Sequence, residues 1–247
     1  MRLKHIKNAD VDIKKSSYYI DKPVNYKGKF NELFGNDNPI HLEIGMGKGD
    51  FIIEMARRYP NINFIGMEKY DSVLVKATKK LEGIDLPNLK LLWYDAALID
   101  QVFDYEIDTI YLNFSDPWPK KKHAKRRLTH AKFLEKYDLI FKDKKDDTFY
   151  DESVRELEEQ GYNLDDIDKN KILKNVNNII MKTDNRKLFE FSVKSFVDYG
   201  YKIEDISLDL HSDEVDIVET EYEKKFVAKG NVIYKVNVNK WQIYEKI

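Results

Sequence analysis

A short run of the sequence, Ser115-Asp-Pro-Trp-Pro119, places an acid and a flat aromatic side chain directly after an apolar segment, Thr109–Phe114. The next eight residues, Lys120–Arg127, add six cationic side chains. In an open α/β sheet, ligands bind beyond the carboxyl ends of the strands. An acid–Pro–Trp corner at such an end could hold a flat base, and the basic run could hold the surrounding phosphates. The segment therefore favours chemistry on nucleic acid, although a basic run by itself is more often a solvated face.

A second group of candidate residues follows the ends of three earlier apolar runs. The segment Glu43-Ile-Gly-Met-Gly-Lys-Gly49 closes the first run, and its glycines allow backbone amides to approach a ligand closely. The G-x-G-x-G spacing differs from the G-x-G-x-x-G of dinucleotide enzymes, and a tight turn without a ligand explains it nearly as well. Glu68 ends the second run, where an acid can accept hydrogen bonds from ribose hydroxyls. Asp95 ends the third and could accept the exocyclic amine of adenine, although such an acid is usually a helix cap. Three successive acids at strand ends favour an adenosine cofactor.

The elements that must position these residues alternate along the chain. This alternation predicts an α/β fold, with a mainly parallel sheet and helices on both faces. The predicted strands are Pro39–Gly45, Asn63–Met67, Leu89–Trp93, Thr109–Phe114, Ile179–Met181, Tyr201–Leu210 and Val232–Val238. The predicted helices are Asp50–Tyr59, Ser72–Glu82, His130–Phe141 and Arg186–Tyr199. We interpret residues 1–35 as an N-terminal extension and residues 36–247 as one domain.

An acidic inset is predicted at about residues 146–177 of this domain. Residues 149–167 align with residues 188–206 at a constant offset of 39, and the second copy has the broader apolar stripe. Residues 143–168 carry eleven acids and three bases, whereas the whole chain has a net charge of −2. We interpret the first copy as a duplication that became an exposed inset. Chance similarity of two amphipathic helices is the alternative.

Composition excludes several classes of function. The chain has no cysteine, which excludes disulfides and thiol nucleophiles, and its five histidines show no metal-ligand spacing. No apolar run approaches the roughly 18 residues that span a bilayer, and the N-terminus lacks the apolar core of a signal peptide. We therefore expect a cytoplasmic protein without a metal or a membrane partner.

Together, the motifs resemble those of the bacterial tRNA (guanine-N7-)-methyltransferases. The matching segments are Glu43–Gly49, Gly66–Glu68, Asn113–Lys120, Lys122–Arg127, Lys182–Asn185, Leu208–His211 and Thr220–Phe226. The resemblance covers nearly the whole chain except roughly residues 146–177. It implies a Rossmann-like class I methyltransferase fold, with a seven-stranded, mostly parallel sheet whose last strand is antiparallel. It also implies methyl transfer from S-adenosylmethionine to N7 of a guanosine in the variable loop of tRNA.

The resemblance assigns a role to each candidate side chain. It implies that the cofactor is bound by Glu43, Gly45, Gly47, Glu68, Asp95 and Asp116, and that Asp116 also stands at the reacting centre. It implies guanosine binding by Lys120, Asp184, Thr220, Glu221, Tyr222 and Glu223. It implies tRNA binding by Lys122, His123, Lys125, Arg126 and Arg127. On the residues alone, Thr220 and Glu223 predict a helix capping box.

The implied reaction needs no general base, because guanine N7 carries a lone pair and no proton. Alignment of the reactants and carboxylates near the developing charge would then carry catalysis, and Asp116 and Asp184 are the candidates. Three alternatives stay open: a methyltransferase with another RNA or protein target, a non-catalytic RNA-binding protein, and a nicotinamide oxidoreductase. The glycine spacing and the acid–Pro–Trp corner disfavour the last. Both a monomer and a homodimer fit the sequence.

Overall fold

A seven-stranded sheet forms the centre of the computed structural model, which describes residues 6–142, 172–173, 177–214, 216–240 and 242–243. Its strands are β1 (Ile40–Ile44), β2 (Asn63–Glu68), β3 (Leu89–Trp93), β4 (Thr109–Asn113), β6 (Asn178–Thr183), β7 (Tyr201–Ser207) and β8 (Tyr234–Lys240), and β5 (Ile172–Leu173) pairs separately with β9 (Gln242–Ile243). The strand order is β3-β2-β1-β4-β6-β8-β7. The pairs from β3 to β6 are parallel, whereas β8 is antiparallel to β6 and β7. The predicted sheet, including its antiparallel last strand, is confirmed.

Helices cover both faces of this sheet. The α-helices are α1 (Ala9–Lys14), α2 (Phe30–Phe34), α3 (Asp50–Arg58), α4 (Asp71–Lys80), α5 (Ala131–Asp138), α6 (Arg186–Tyr199), α7 (Leu210–Asp213) and α8 (Glu221–Val227), and 3₁₀ turns span Pro23–Tyr26, Ala96–Gln101 and Lys121–Arg126. Along β2, Ile65 packs in one apolar cluster and Phe64 in the other, so successive side chains are buried on opposite faces. The part of the chain that the structure describes contains no helix long and apolar enough to cross a membrane.

The described part of the N-terminal extension lies against the sheet. The Ile20 amide donates to the Leu91 carbonyl at 3.1 Å, and the Leu91 amide donates to the Tyr18 carbonyl at 2.8 Å. Phe30 of α2 is fully buried. Backbone pairing with β3, and the burial of Phe30 against Phe103, thus join this segment to the rest of the domain.

Most of the predicted inset, including the first repeat copy at residues 149–167, lies outside the described residues. Of the inset the structure describes β5 and Asn177, whose side-chain amide donates to the Lys142 carbonyl at 3.2 Å. The second repeat copy forms α6 and β7. The predicted strand Tyr201–Leu210 ends earlier, at Ser207, because the buried Leu210 begins α7.

Candidate functional site

A cleft of about 950 Å³ lies beyond the carboxyl ends of β1, β2 and β4. Its walls include four of the predicted cofactor residues, two cations of the basic run and several aromatic rings: Gly45, Glu68, Asp95, Asp116, Lys125, Arg126, Tyr70, Tyr94, Phe114, Trp118 and Phe133. These residues lie close together because the strands are parallel and their carboxyl ends lie at one edge of the sheet.

The loop between β1 and α3 takes a conformation that favours glycine. Gly45 and Gly47 have φ of 77° and 59°, and a Cβ added at either would have no atom within 4 Å. Gly66 of β2 faces the same loop, where a Cβ would lie 2.2 Å from the Met46 sulfur. Because Gly66 lacks a side chain, the loop can pack onto β2, and the backbone at Gly45 and Gly47 stays open to a ligand.

The Glu68 carboxylate ties the glycine loop to the end of β2. It accepts the amides of Gly47 at 3.1 Å, Lys69 at 2.9 Å and Tyr70 at 3.0 Å. Burial raises the pKa of Glu68, and these hydrogen bonds oppose the rise. A carboxylate offers about four acceptor positions. Three are used, so one remains for a further donor.

Glu43 of β1 is 1% exposed and carries an unsatisfied oxygen. The Asn113 side-chain amide donates to Oε1 at 2.9 Å, while Oε2 has no partner. Burial raises the pKa of Glu43 to about 7, against the opposing effects of the Asn113 hydrogen bond and the Lys182 charge. A buried oxygen of this kind is costly unless a ligand supplies a donor or a positive charge.

The two remaining acids of the cleft have different surroundings. Asp95 caps the turn Ala96–Gln101 by accepting the Ala97 amide at 2.9 Å, and it lies 3.4 Å from the Lys69 ammonium. Asp95 therefore acts as a helix cap, the usual role of an acid at a strand end, and it also lines the cleft. Asp116 is exposed, and no described residue makes a hydrogen bond or ion pair with its carboxylate.

The corner that carries Asp116 has residues in the left-handed region on both sides. Phe114 has φ of 51° and Trp118 has φ of 40°. Such a conformation costs roughly 1–3 kcal/mol for a non-glycine residue and persists only where its surroundings hold it. The Arg126 guanidinium lies 4.8 Å from the Trp118 ring centroid, so the described structure packs a cation against this indole.

A second group of predicted residues meets at the start of α8. The Glu223 amide donates to the Thr220 hydroxyl at 2.9 Å, and the Thr220 amide donates to the Glu223 carboxylate at 3.3 Å. The predicted capping box is therefore present. Glu223 is fully buried, and its carboxylate pairs with Lys182 of β6 at 2.6 Å and with His211 at 3.1 Å. Lys182 also donates to the Val218 carbonyl at 2.9 Å. These contacts fasten α8 to β6.

Tyr222, an exposed residue of this second group, contacts a ring that lines the cleft. Tyr222 stacks on Phe226 at 4.1 Å and lies 5.1 Å from Phe114, which itself lines the cleft. The Tyr222 hydroxyl donates to Asp184 at 3.3 Å. Glu221 pairs with Lys48 of the glycine loop at 2.6 Å. The two groups of residues are therefore neighbours, joined at Phe114 and at Lys48.

The side chains of the basic run differ in how far they are exposed to solvent. Lys120, Lys122, Lys125 and Arg126 are exposed, and His123 is half-buried with its ring 5.8 Å from Trp118. Arg127 is also half-buried, and it donates to the carbonyls of Pro117 and Trp118. Of the run, Lys125 and Arg126 line the cleft.

Lys182 and Phe114 belong to this site although the sequence analysis gave them no role. Both stood inside matching segments, at or just beyond the end of a strand. A lysine within an apolar strand is a signal of a buried ion pair, because a buried ammonium needs a partner. The partner, Glu223, is 41 residues away, so the pair itself was beyond the reach of local pattern.

The sequence of the chain is similar to those of known methyltransferases. A family model described as "Putative methyltransferase" matches residues 37–144. The tRNA (guanine-N(7)-)-methyltransferase of Bacillus licheniformis is 44% identical over 239 residues, which cover 96% of this chain and 97% of that protein. The chain belongs to the tRNA (guanine-N(7)-)-methyltransferase family. The Bacillus subtilis member is 42% identical over 241 residues, covering 96% of this chain and 98% of that one.

Solved structures support the fold of this methyltransferase. One described as "Structure of an Antibiotic Related Methyltransferase" gives a TM-score of 0.56 at 15% identity, covering 88% of this chain and 94% of that one. The "Crystal Structure of 16S rRNA Methyltranferase KamB" gives 0.55 at 13% identity, covering 87% and 93%. Both confirm the class I methyltransferase architecture.

Proposed function

We propose that this protein transfers a methyl group from S-adenosylmethionine to N7 of a guanosine in tRNA. One observation carries the proposal: acids from neighbouring strand ends share a cleft with aromatic side chains and with two cations of the basic run, Lys125 and Arg126. The curated relatives, at 41–48% identity, support the choice of tRNA and of guanine N7.

The residues that line the cleft, together with Glu43 and Gly47 beside them in the chain, fit S-adenosylmethionine. The open backbone at Gly45 and Gly47 leaves room for a ligand in contact with the loop. Glu68 keeps one acceptor position for a ribose hydroxyl, and Asp95 lines the part of the cleft proposed for the adenine. The unsatisfied Oε2 of Glu43 suits a cationic ligand. When bound, the cofactor supplies an electrophilic methyl group on a sulfonium.

Asp116 and Asp184 are the proposed electrostatic residues of the reaction. Transfer would form the bond from N7 to the methyl carbon as the carbon–sulfur bond breaks and leaves its electron pair on sulfur. Positive charge would then move to the purine, so a carboxylate near N7 would stabilise the transition state more than the ground state. Asp116 is available for this role because its carboxylate is exposed in the cleft. Asp184 is held by the Tyr222 hydroxyl and orients the base from the other side.

The target guanosine is proposed to lie between the corner and α8. Tyr222 is 42% exposed and is backed by Phe226, so its ring offers a firm apolar surface for a purine. Lys120, Thr220 and Glu221 complete this part of the site. Glu223 is fully buried, and we propose that it acts by fixing the start of α8 and not by touching the base.

The tRNA backbone is proposed to lie along the exposed cations Lys122, Lys125 and Arg126, with His123 beside them. Phosphate contacts give affinity that falls steeply with salt, which suits a ligand that must be bound and then released. In the described part of the chain, no group of His, Asp and Glu side chains could hold a metal ion, and the proposed chemistry uses none.

The test is incubation of the protein with isotope-labelled S-adenosylmethionine and bulk tRNA. The nucleosides of the tRNA are then analysed by mass spectrometry. The expected product is 7-methylguanosine, with ribosomal RNA as the control substrate. Label in another nucleoside, or in ribosomal RNA alone, would contradict the proposal. Cofactor binding without transfer to any RNA would instead indicate a binding protein.

A further inference from the structure

We infer that Arg127 is a positioning residue that fixes the corner carrying Asp116, and that it is not a phosphate contact. The inference rests on the proposed function, since it concerns the group placed at the reacting centre. Arg127 follows the turn Lys121–Arg126 and points back to the corner, where its Nε donates to the Pro117 carbonyl at 3.0 Å. Its Nη2 donates to the Trp118 carbonyl at 3.1 Å.

A third contact orients the Arg127 side chain. The centre of its guanidinium lies 4.3 Å from the centroid of the Phe191 ring, on α6. A planar fork with fixed donors can bond two successive carbonyls while one of its faces rests on a ring. A lysine ammonium is a point charge on a flexible stem and cannot reproduce that geometry. The site therefore requires the shape of arginine as well as its charge.

The corner needs such a support. Phe114 and Trp118 both adopt left-handed backbone conformations, which persist only where the surroundings hold them. Arg127 bonds the carbonyls of the two residues that follow Asp116, one of which is Trp118 itself. The two hydrogen bonds hold the corner to Arg127, and the ring contact holds Arg127 to Phe191 of α6. The backbone that carries Asp116 is thereby fixed in position relative to α6.

The neighbouring cations differ in these respects. Lys125 and Arg126 are exposed and line the cleft, whereas Arg127 is half-buried and does not belong to the described cleft lining. A guanidinium already engaged with two carbonyls and a ring has fewer donors free for a phosphate. The structure thus separates cations that can meet RNA from the one that shapes the corner.

The deciding variant is Arg127→Lys, with Arg127→Gln and Lys125→Gln as companions. We expect Arg127→Lys to lower kcat roughly 10- to 100-fold, the effect of a small misplacement of a reacting group, with the KM for tRNA within about twofold. The salt dependence of tRNA binding should be unchanged in both Arg127 variants. Lys125→Gln should instead raise the KM for tRNA and reduce the slope of log K against log salt by up to about 1.

A second measurement tests the inference without RNA or cofactor. In ¹⁵N-labelled protein, the indole N–H resonance of Trp118, assigned with Trp118→Phe, should move in Arg127→Lys and stay in place in Lys125→Gln. If wild-type protein methylates no tRNA, the proposed function fails, and this resonance still decides the role of Arg127.

Two results would overturn the inference. One is full kcat in Arg127→Lys together with a reduced salt slope in Arg127→Gln, as a phosphate contact requires. The other is an unmoved Trp118 resonance. Should Arg127→Lys fail to fold, Phe191→Leu removes the ring beneath the guanidinium while keeping every charge. That variant should also lower kcat without changing the salt slope, and unaltered kcat there would count against the inference.

Discussion

At the scale of single residues, Glu43 carries an energetic cost that depends on pH. Its carboxyl is 1% exposed, and one of its oxygens has no partner. Its pKa is raised from 4.5 to about 7, so between these values the folded state holds a proton that the unfolded state has lost. The stability that this protonation contributes is therefore complete below about pH 4.5 and is lost as the pH rises through about 7.

We predict that Glu43→Gln stabilises the free protein at alkaline pH and weakens its affinity for S-adenosylmethionine. The neutral amide can keep the bond to Asn113 without the cost of a buried charge. The stability advantage of the variant should grow by about 1–3 kcal/mol between about pH 5 and about pH 8, measured by urea denaturation. Calorimetric titration should show the weaker affinity. An advantage independent of pH would contradict the raised pKa.

Asp116→Asn is expected to lower kcat at least about 100-fold with little change in stability, because the exposed carboxylate has no described structural partner. Equal melting temperatures for variant and wild type would establish that the loss is chemical. Asp95→Asn is the matched loss of a carboxylate: because Asn caps about as well as Asp, stability should change little, and kcat at saturating cofactor should stay closer to normal than in Asp116→Asn. If Asp116→Asn lost stability and kept its turnover, the proposed role would be wrong.

At the scale of elements, α8 depends on a buried ion pair for its position. Lys182 and Glu223 are 6% and 0% exposed in their side chains, and they join β6 to the capping box of a helix with seven residues. So short a helix is not stable alone, since helix nucleation is costly. The residues proposed for guanosine binding are therefore ordered by tertiary contacts.

Lys182→Met should destabilise the protein by about 3–5 kcal/mol, because the buried carboxylate of Glu223 loses its ammonium partner and keeps only His211 among its side-chain partners. The double variant Lys182→Met with Glu223→Gln should recover much of that loss, since both charges are then removed. Denaturant titration of the two variants measures the difference. A double variant no more stable than the single one would show that the pair matters for packing and not for charge.

Thr220→Ala should cost about 1 kcal/mol through loss of the cap, and Thr220→Ser should keep most of the stability. The alanine variant should also raise the KM for tRNA, because Thr220 lies in the proposed guanosine site. A normal KM alongside the lost stability would leave Thr220 with the capping role alone.

The elements were predictable from sequence because their signals are local. Apolar runs marked the strands, and β2 ends at Glu68 as the pattern indicated. The capping box at Thr220 and Glu223 was likewise visible, since its two residues are three apart. The contacts of Arg127 with Phe191, and of Lys182 with Glu223, join distant segments. They depend on the order of β4, β6 and α6 in space, which no local pattern contains.

At the scale of the whole molecule, the uneven charge shapes the encounter with RNA. The net charge of −2 includes eleven acids and three bases in residues 143–168, so the remainder of the chain is positive. Its exposed cations include Lys125, which lines the same cleft as Asp116, and Lys122, three residues earlier in the chain. We expect long-range attraction by these cations to raise the association rate with tRNA at low salt.

Lys122→Gln is expected to reduce the slope of log K against log salt for tRNA by up to about 1, without changing cofactor affinity. Lys194→Gln is the matched control, because Lys194 is exposed on α6 and already paired with Asp198 at 2.7 Å. Filter binding over a range of salt concentrations measures both slopes. Equal slopes for Lys122→Gln and wild type would make Lys122 a solvated surface residue.

The acidic inset can be tested by excision of residues 146–177, because the described chain before and after it converges beside the start of β4. The Lys142 amide donates to the Ile107 carbonyl at 2.8 Å and the Asn178 amide to the Asp108 carbonyl at 3.3 Å, so a short connection can join Lys145 to Asn178. We propose that the inset is dispensable for methyl transfer, and we predict that the excised protein folds and keeps its kcat. The excision removes β5, so among the described strands β9 loses its pairing strand.

The electrostatic consequence of this excision has a definite sign. Removal of acids that lie within a Debye length of the docking face, about 8 Å at physiological salt, should raise the tRNA association rate, most strongly at low salt. Acids further away would leave the rate unchanged. Stopped-flow binding at two salt concentrations, alongside the single-turnover methylation rate, separates these cases. An excised protein that is insoluble, or folded but inactive, would overturn the proposal. It would mean that residues 146–177 provide contacts on which the sheet or the site depends.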